Sequence, residues 1–288
     1  MDNKFKISVI VPAYNAQETI ERCLNSLLRQ TLSCQVIVIN DGSTDQTKEI
    51  LKKYYNLSQI EIVTQDNSGV SAARNIGLSK VRSPYVTFVD ADDFVNENYL
   101  YELYKNINHP FVDMSICSWK IVGDSNEKVI QNDMDNVASE VIKSIFSPNG
   151  PKGYLWNKLF KTEIILNNKI RFNTEIQVAE DMLFCCEYLV YSRRVRSSSN
   201  VVYNYVLSSN SISNNIQFDK GNVNFYLDYL NALNTVILIM PVSFHEALIE
   251  VKANICNLCC DLIRMINFNN IIYDTKKIKK KQNRIVLV

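Results

Sequence analysis

Three carboxylates crowd one short stretch of this chain, Asp90-Ala91-Asp92-Asp93, directly after the apolar run Tyr85-Val86-Thr87-Phe88-Val89. Such a run between polar residues reads as a buried strand, and in an open α/β sheet ligands gather just beyond the carboxyl ends of the strands. Like charges a few ångströms apart raise each other's pKa unless a cation neutralises them. Oxygen-only ligands favour a hard divalent ion, Mg2+ or Mn2+, which takes one or two carboxylates and completes its shell with substrate phosphate and water. The competing reading is a solvated acidic turn, with Asp93 capping a helix over Phe94 to Tyr104. The residues alone leave both open.

The elements that must carry this turn alternate through the first hundred residues, the signature of βαβ units and a mostly parallel sheet. Ile7 to Val11 reads as a buried strand ended by Pro12. Ile20, Cys23, Leu24, Leu27 and Leu28 mark one face of a helix. Val36 to Ile39 is a second strand, stopped by Asn40-Asp41-Gly42, and Ser43 with Gln46 reads as a capping box opening a helix from Thr44 to Tyr55. Ile60 to Val63, a helix from Val70 to Val81, and Pro84 to Val89 continue the alternation. Each strand ends in polar residues (Tyr14-Asn15, Asp41, Gln65-Asp66, Asp90 to Asp93), so one rim of the sheet becomes a polar cleft.

Beyond about residue 108 the order loosens. The pattern predicts a strand from Val112 to Val122, a helix from Asn136 to Phe146, a short apolar segment from Trp156 to Phe160, a helix from Ala179 to Tyr191 and an alternating strand from Val201 to Leu207, followed by a polar loop to Asn215. The last seventy or so residues read as helical, with one stripe through Ala247, Leu248, Val251, Ile255, Leu258, Leu262 and Ile266 that packs against the body or a second subunit.

At 288 residues, 47% of them apolar, the chain can bury a large core. A net charge of +1 excludes a bulk nucleic-acid footprint. Eight cysteines in mostly apolar, helix-like context read as reduced thiols in a cytoplasmic protein. Cys256, Cys259 and Cys260 are half of a zinc pattern, but no second CxxC or HxxxH completes it, and the chain holds only two histidines. The polar start from Met1 to Lys6 predicts no signal peptide. Tyr229 to Phe244, broken by Asn231, Asn234 and Pro241, is too short to span a bilayer. Lys276 to Arg284 carries six basic residues and no acid; it reads either as a contact with the inner, anionic face of the cell membrane or as a frayed soluble terminus.

Four fragments, Pro12-Ala-Tyr14-Asn15, Asn40-Asp41-Gly42-Ser43-Thr44-Asp45, Ser71-Ala-Ala-Arg74-Asn75-Ile-Gly77 and Asp90-Ala-Asp92-Asp93, resemble in order and spacing the nucleotide-sugar half of family 2 glycosyltransferases. The resemblance spans Ile7 to Asp93 and continues more loosely to about residue 213. It implies the GT-A fold, a Rossmann-like, mostly parallel α/β sheet flanked by helices, here with a C-terminal helical extension. It covers a 1–215 glycosyltransferase domain (nucleotide-sugar half 1–107, acceptor half 108–215), and the helical periodicity beyond it, which has no counterpart in the resemblance, sets apart a 216–288 helical region with the basic tail. It also implies an inverting reaction, a nucleoside-diphosphate sugar and a metal, Mn2+ or Mg2+.

Carried across, Asp41 would accept a hydrogen bond from the base of the donor while the Pro12, Tyr14 and Asn15 backbone cradles the nucleoside. Asp90 would touch ribose, and Asp92 the metal that bridges the two phosphates. Arg74 would sit near the diphosphate and the acids, the alternative being a surface arginine lying along its helix. Glu180-Asp181 resembles the family's ED motif. Direct displacement needs a carboxylate beside the acceptor hydroxyl, a role implied for Asp181, with Glu180 on acceptor or sugar hydroxyls; the alternative is an acidic first helical turn. Trp156-Asn157-Lys158-Leu159-Phe160 resembles the acceptor-side segment. Trp156 would stack on a sugar or fill the core, and Lys158 would meet an acceptor or solvent. Ser209 to Ser213 stands where the family closes a loop over the diphosphate, without a basic residue.

A nucleotidyltransferase or a dinucleotide oxidoreductase would place a glycine-rich loop after the first strand, and Pro12 to Gln17 has no glycine. The expectation is a cytoplasmic hexosyl- or N-acetylhexosaminyltransferase using a UDP-sugar to extend a bacterial surface glycan or lipid-linked saccharide. Bacterial context comes from the family type and an Asn-, Ile- and Lys-rich composition. The peripheral membrane contact through the tail and a homo-oligomer through the C-terminal helices complete the expected partners, with no nucleic acid. The alternative is an inactive sugar- or nucleotide-binding scaffold of the same fold.

Overall fold

The computed structural model describes residues 5–123, 128–131, 133–147, 150–207 and 223–268. Its first half runs β1 (Ile7–Ala13), α1 (Ile20–Leu28), β2 (Gln35–Asp41), α2 (Thr47–Leu51) with a 3-10 turn over Lys52–Tyr54, β3 (Ile60–Gln65), α3 (Val70–Lys80), β4 (Tyr85–Phe88), β5 (Phe94–Val95) and α4 (Tyr99–Ile107). The second half adds β6 (Val112–Val122), β7 (Lys128–Ile130), β8 (Asp135–Val137), α5 (Ala138–Ile145), β9 (Lys158–Lys161), α6 (Thr162–Asn167), α7 (Glu180–Val190) and β10 (Arg194–Val206). Two helices follow, α8 (Val223–Ile239) and α9 (His245–Phe268).

One mixed α/β sheet in the order β3-β2-β1-β4-β9-β6-β10-β5 joins both halves. β2 pairs in parallel with β1 and β3, and β1 with β4. β9 enters antiparallel between β4 and β6, so β6, and with it the parallel β10, runs in the direction of β1 to β4. The expected α/β sheet flanked by helices is what the chain forms, parallel from β3 through β4 and mixed beyond. Its central strands read as continuous apolar runs because both faces are covered: every residue of β2 is buried. α3 lies tightly on β1, since a Cβ at Gly77 would sit 2.5 Å from Cγ2 of Ile10; glycine lets the helix backbone approach that side chain so closely.

Three local expectations are corrected. Phe94 to Tyr104 is not one helix: Phe94 and Val95 pair antiparallel with Asn204 and Tyr203, and α4 starts only at Tyr99. The capping box of Ser43 with Gln46 does not form. Thr47 N donates instead to Asp45 Oδ1 at 2.9 Å, and the helix starts at Thr47. The final strand begins at Arg194 rather than Val201. The apolar stripe of α9 packs on the body: Ala247, Val251 and Leu258 are buried in the same core as Ile10 and Phe88. The predicted loop over Ser208 to Asn215 and the basic tail lie outside the described residues, as does the side chain of Ile266. Among the described residues no helix is long and apolar enough to cross a membrane.

Candidate active site

Because β1, β2 and β4 run the same way, their C-terminal ends open on one rim. At the end of β1 the chain turns through Asn15, whose φ of 47° suits asparagine better than most residues. The turn is clasped to the loop after β2: Asn15 N donates to Ser43 Oγ at 3.0 Å, and Thr44 N donates to Asn15 Oδ1 at 2.8 Å. Pro12 is half-buried behind this clasp, and Tyr14 is 51% exposed at its lip. Asp41 is buried at the end of β2 and accepts from Gln65 Nε2 at 2.6 Å, from Ser68 N at 2.9 Å and from Gly69 N at 2.9 Å. It thereby ties down the loop that opens α3. A carboxylate offers about four acceptor positions, so one remains for a ligand.

The acidic tetrad follows β4. Asp93 is fully buried and is held by the last strand: Tyr203 Oη donates to its Oδ2 at 2.6 Å and Val206 N to its Oδ1 at 2.7 Å. It does not cap a helix. Burial, with Asp90 and Asp92 close by, pushes the Asp93 carboxyl well up. Asp92 is half-buried, and desolvation together with the charge of Asp90 raises it to about 6. Arg22 donates to the Asp92 backbone carbonyl at 2.6 Å, and its charge offsets only part of that rise. Among the described residues no three His, Cys, Asp or Glu side chains gather as a self-sufficient metal cage. A hard divalent ion that brings phosphate and water oxygens needs only one or two carboxylates, and the half-buried Asp92, raised by burial and by Asp90, is the donor such an ion fits.

Arg74 joins this rim to the second half of the chain. It is 7% exposed and donates through Nη1 to Glu180 Oε1 at 2.8 Å and through Nη2 to Asp90 Oδ1 at 3.4 Å. Its guanidinium lies over the Phe172 ring, 5.5 Å from the centroid, and its Nε is buried without a hydrogen-bond partner. The alternative of a surface arginine is therefore excluded. Asp90 is raised by burial, partly offset by Arg74.

Glu180 and Asp181 open α7 behind Ala179, which takes the left-handed conformation at φ 65°. Asp181 Oδ1 accepts from Met182 N at 2.7 Å. Desolvation and the neighbouring Glu180 push its carboxyl up to about 7, against the opposing charges of Arg74 and Lys158. Burial, and after it the charge of Asp181, raises the hydroxyls of Tyr154 and Tyr229. The loop before β9 reaches this place because Gly153 has no Cβ: one there would lie 2.5 Å from Met182.

Two residues whose role the sequence left open prove to be interior. Lys158 is fully buried, its pKa lowered by desolvation, and Nζ donates to Tyr154 O at 2.6 Å, Lys152 O at 2.9 Å and Asn157 Oδ1 at 2.9 Å. It pins the loop from the inside and reaches neither solvent nor an acceptor. Trp156 is 5% exposed, stacked on Tyr154 at 4.9 Å and on Tyr203 at 4.5 Å between ring centroids. No face is left for a sugar. The outer rings of this stack, Tyr154 and Tyr205, are the half-exposed ones. Sequence reasoning missed Tyr203, Tyr154 and Tyr229; of these only Tyr203, inward-pointing in an alternating strand, carried a signal of burial.

The model of "Glycosyl transferase family 2" matches residues 8–180. Glycosyltransferase GlyA of Streptococcus pneumoniae is 32% identical over 227 residues, which are 72% of this chain and 31% of that protein; the chain spans about a third of its length. Poly(ribitol-phosphate) beta-N-acetylglucosaminyltransferase TarP of Staphylococcus aureus is 30% identical over 245 residues, 82% of this chain and 73% of TarP. The crystal structure of S. aureus TarS 1-349 in complex with UDP-GlcNAc superposes with a TM-score of 0.72 at 25% identity, covering 95% of this chain and 78% of that one.

Proposed function

The chain belongs to glycosyl transferase family 2, and from that premise we propose that it is an inverting hexosyl- or N-acetylhexosaminyltransferase that uses a UDP-sugar to glycosylate a hydroxyl of a bacterial surface glycan or lipid-linked saccharide. The observation that carries this reading is the Arg74 fork, which draws the strand-end acids and the Glu180-Asp181 pair into one site.

The turn from Pro12 to Asn15 cradles the nucleoside, and Asp41, with one acceptor position left, takes a hydrogen bond from the base. Asp90 holds ribose. Asp92 is the residue that would ligate Mn2+ or Mg2+, and such an ion, when bound, neutralises charge on the diphosphate. Arg74 holds Asp90 and Glu180 in place beside it. Asp181 acts as the general base: an acceptor oxygen forms a bond to the anomeric carbon, the bond from that carbon to the phosphate oxygen breaks, UDP leaves with the electron pair, and the hydroxyl proton passes to Asp181. A single displacement inverts the anomeric centre. The UDP-GlcNAc bound by TarS and the N-acetylglucosaminyl transfer in TarP's name support a UDP-sugar donor.

Release of UDP from a panel of UDP-sugars, with Mn2+ and saccharide acceptors present, tests the reading. Transfer that inverts the anomeric configuration is the expected result; a chain that binds UDP but releases none under any combination would be a scaffold of the same fold.

A further inference from the structure

Asn75 follows Arg74 in α3 and reaches across to the second half of the chain. Its Nδ2 donates to Phe172 O and its Oδ1 accepts from Phe172 N, both at 2.9 Å and over 97 residues of sequence. Asparagine is among the poorer helix formers because its amide competes for the backbone. Here the amide engages a different backbone instead. It uses a donor and its acceptor on a single residue, so the two bonds fix that residue much as a neighbouring strand would.

The clasped residue carries a ring on which the parts of the site converge. Phe172 is buried, and the Arg74 guanidinium lies over it. Phe184, three residues after Asp181 in α7, stacks on it at 4.2 Å between centroids with the planes 3° apart. Phe88, the last residue of β4 and two before Asp90, meets it edge-on at 5.5 Å and 84°. The ring is therefore wedged between the strand that leads to the donor-side acids, the helix that opens with Glu180 and Asp181, and the arginine that bonds to both sides. Interiors are close-packed and transmit strain. A shift of Phe172 would move the guanidinium and the first turn of α7 relative to Asp90.

We propose that Asn75 is a positioning residue for sugar transfer: by clasping the Phe172 backbone it seats the ring under Arg74 and so sets the span between the acids after β4 and the Glu180-Asp181 pair. The inference rests on the transferase reading, and it gives Asn75 no contact with donor or acceptor. Transfer is steep in distance, a misplacement of about 1 Å costing on the order of 100-fold. Donor binding is not, since the turn after β1 and Asp41 are held by bonds of their own.

The test compares the intact protein with Asn75→Ala, Asn75→Asp, Arg74→Lys and the double variant Asn75→Ala/Arg74→Lys. Calorimetric titration with UDP and Mn2+ counts the competent sites and gives the affinity; UDP release from the UDP-sugar panel with saccharide acceptors gives kcat per competent site. Asn75→Ala should bind UDP within about threefold of the parent yet transfer at least about tenfold more slowly. Asn75→Asp, which still accepts from Phe172 N but cannot donate to Phe172 O, should fall between the two, and it decides the matter where the alanine variant does not fold. Because both residues act on one geometry, adding Asn75→Ala to Arg74→Lys should slow transfer by less than about twofold. A residue that only stabilises the fold would leave kcat per competent site unchanged, and that result overturns the proposal. So does a full loss in the Arg74→Lys background, or a fall in UDP affinity as large as the fall in rate. A parent that transfers nothing overturns the transferase reading and the positioning role together, whereas an active parent matched by its Asn75 variants overturns the positioning role alone.

Discussion

Arg74 and Glu180, 106 residues apart in the chain, meet at 2.8 Å in the interior. One is a helix residue of the first half and the other opens a helix of the second, so this pair is where two stretches of sequence become a single site.

Breaking that pair should cost both stability and transfer. Removing one partner of a buried ion pair typically costs about 3–5 kcal/mol, and Arg74→Ala would strand Glu180 and Asp90 together. Arg74→Lys keeps the charge but loses the two-pronged geometry. Urea denaturation should rank the parent above Arg74→Lys above Arg74→Ala, with transfer falling in the same order. An Ala variant as stable as the parent would refute the account.

Asp181→Asn should bind UDP and Mn2+ as the parent does yet transfer about 100- to 10,000-fold more slowly, the usual worth of a general base. The pH dependence has a definite sign. A base with its pKa at about 7 is protonated, and idle, below that pH, so kcat/KM should rise through pH 6 to 7 and level off above it. An acid limb near 4 would mean that Asp181 is not the group titrating.

Asp92→Ala should weaken Mn2+-dependent UDP binding by tenfold or more in calorimetric titration, while metal-free UDP binding changes little. Chelation of the divalent ion should bring the parent to the level of the variant. Equal metal dependence in both proteins would remove Asp92 from the metal site.

Tyr203→Phe removes the hydroxyl that donates to the buried Asp93. A loss of about 1–3 kcal/mol is expected, the cost of leaving such an acceptor short of a partner. The melting temperature should fall, and an unchanged value would mean that Asp93 is carried by Val206 N alone.

How much of this could be read beforehand depended on whether the deciding interaction was local. The strand ends and the acids after β4 were legible because parallel strands buried on both faces leave an unbroken apolar run and then a polar turn. The break between Phe94 and Tyr99 was not, since the pairing of Phe94 and Val95 with β10 depends on residues more than a hundred positions away. Lys158 and Trp156 could not be decided for a related reason. Their types suit an exposed site, and only the carbonyls of Lys152 and Tyr154 and the rings of Tyr154 and Tyr203 reveal them as interior supports. Arg74 was placed near the acids but not underneath them, because its second partner belongs to the other half of the chain.

The bond from Tyr203 to Asp93 also sets an order in time. During synthesis the acids emerge long before the strand that fastens them, so a nascent or truncated chain ending near residue 190 carries every donor-side carboxylate without the clasp that orders them. A chain trimmed of that strand would keep every acid after β4 yet lose the two bonds that hold Asp93 in place.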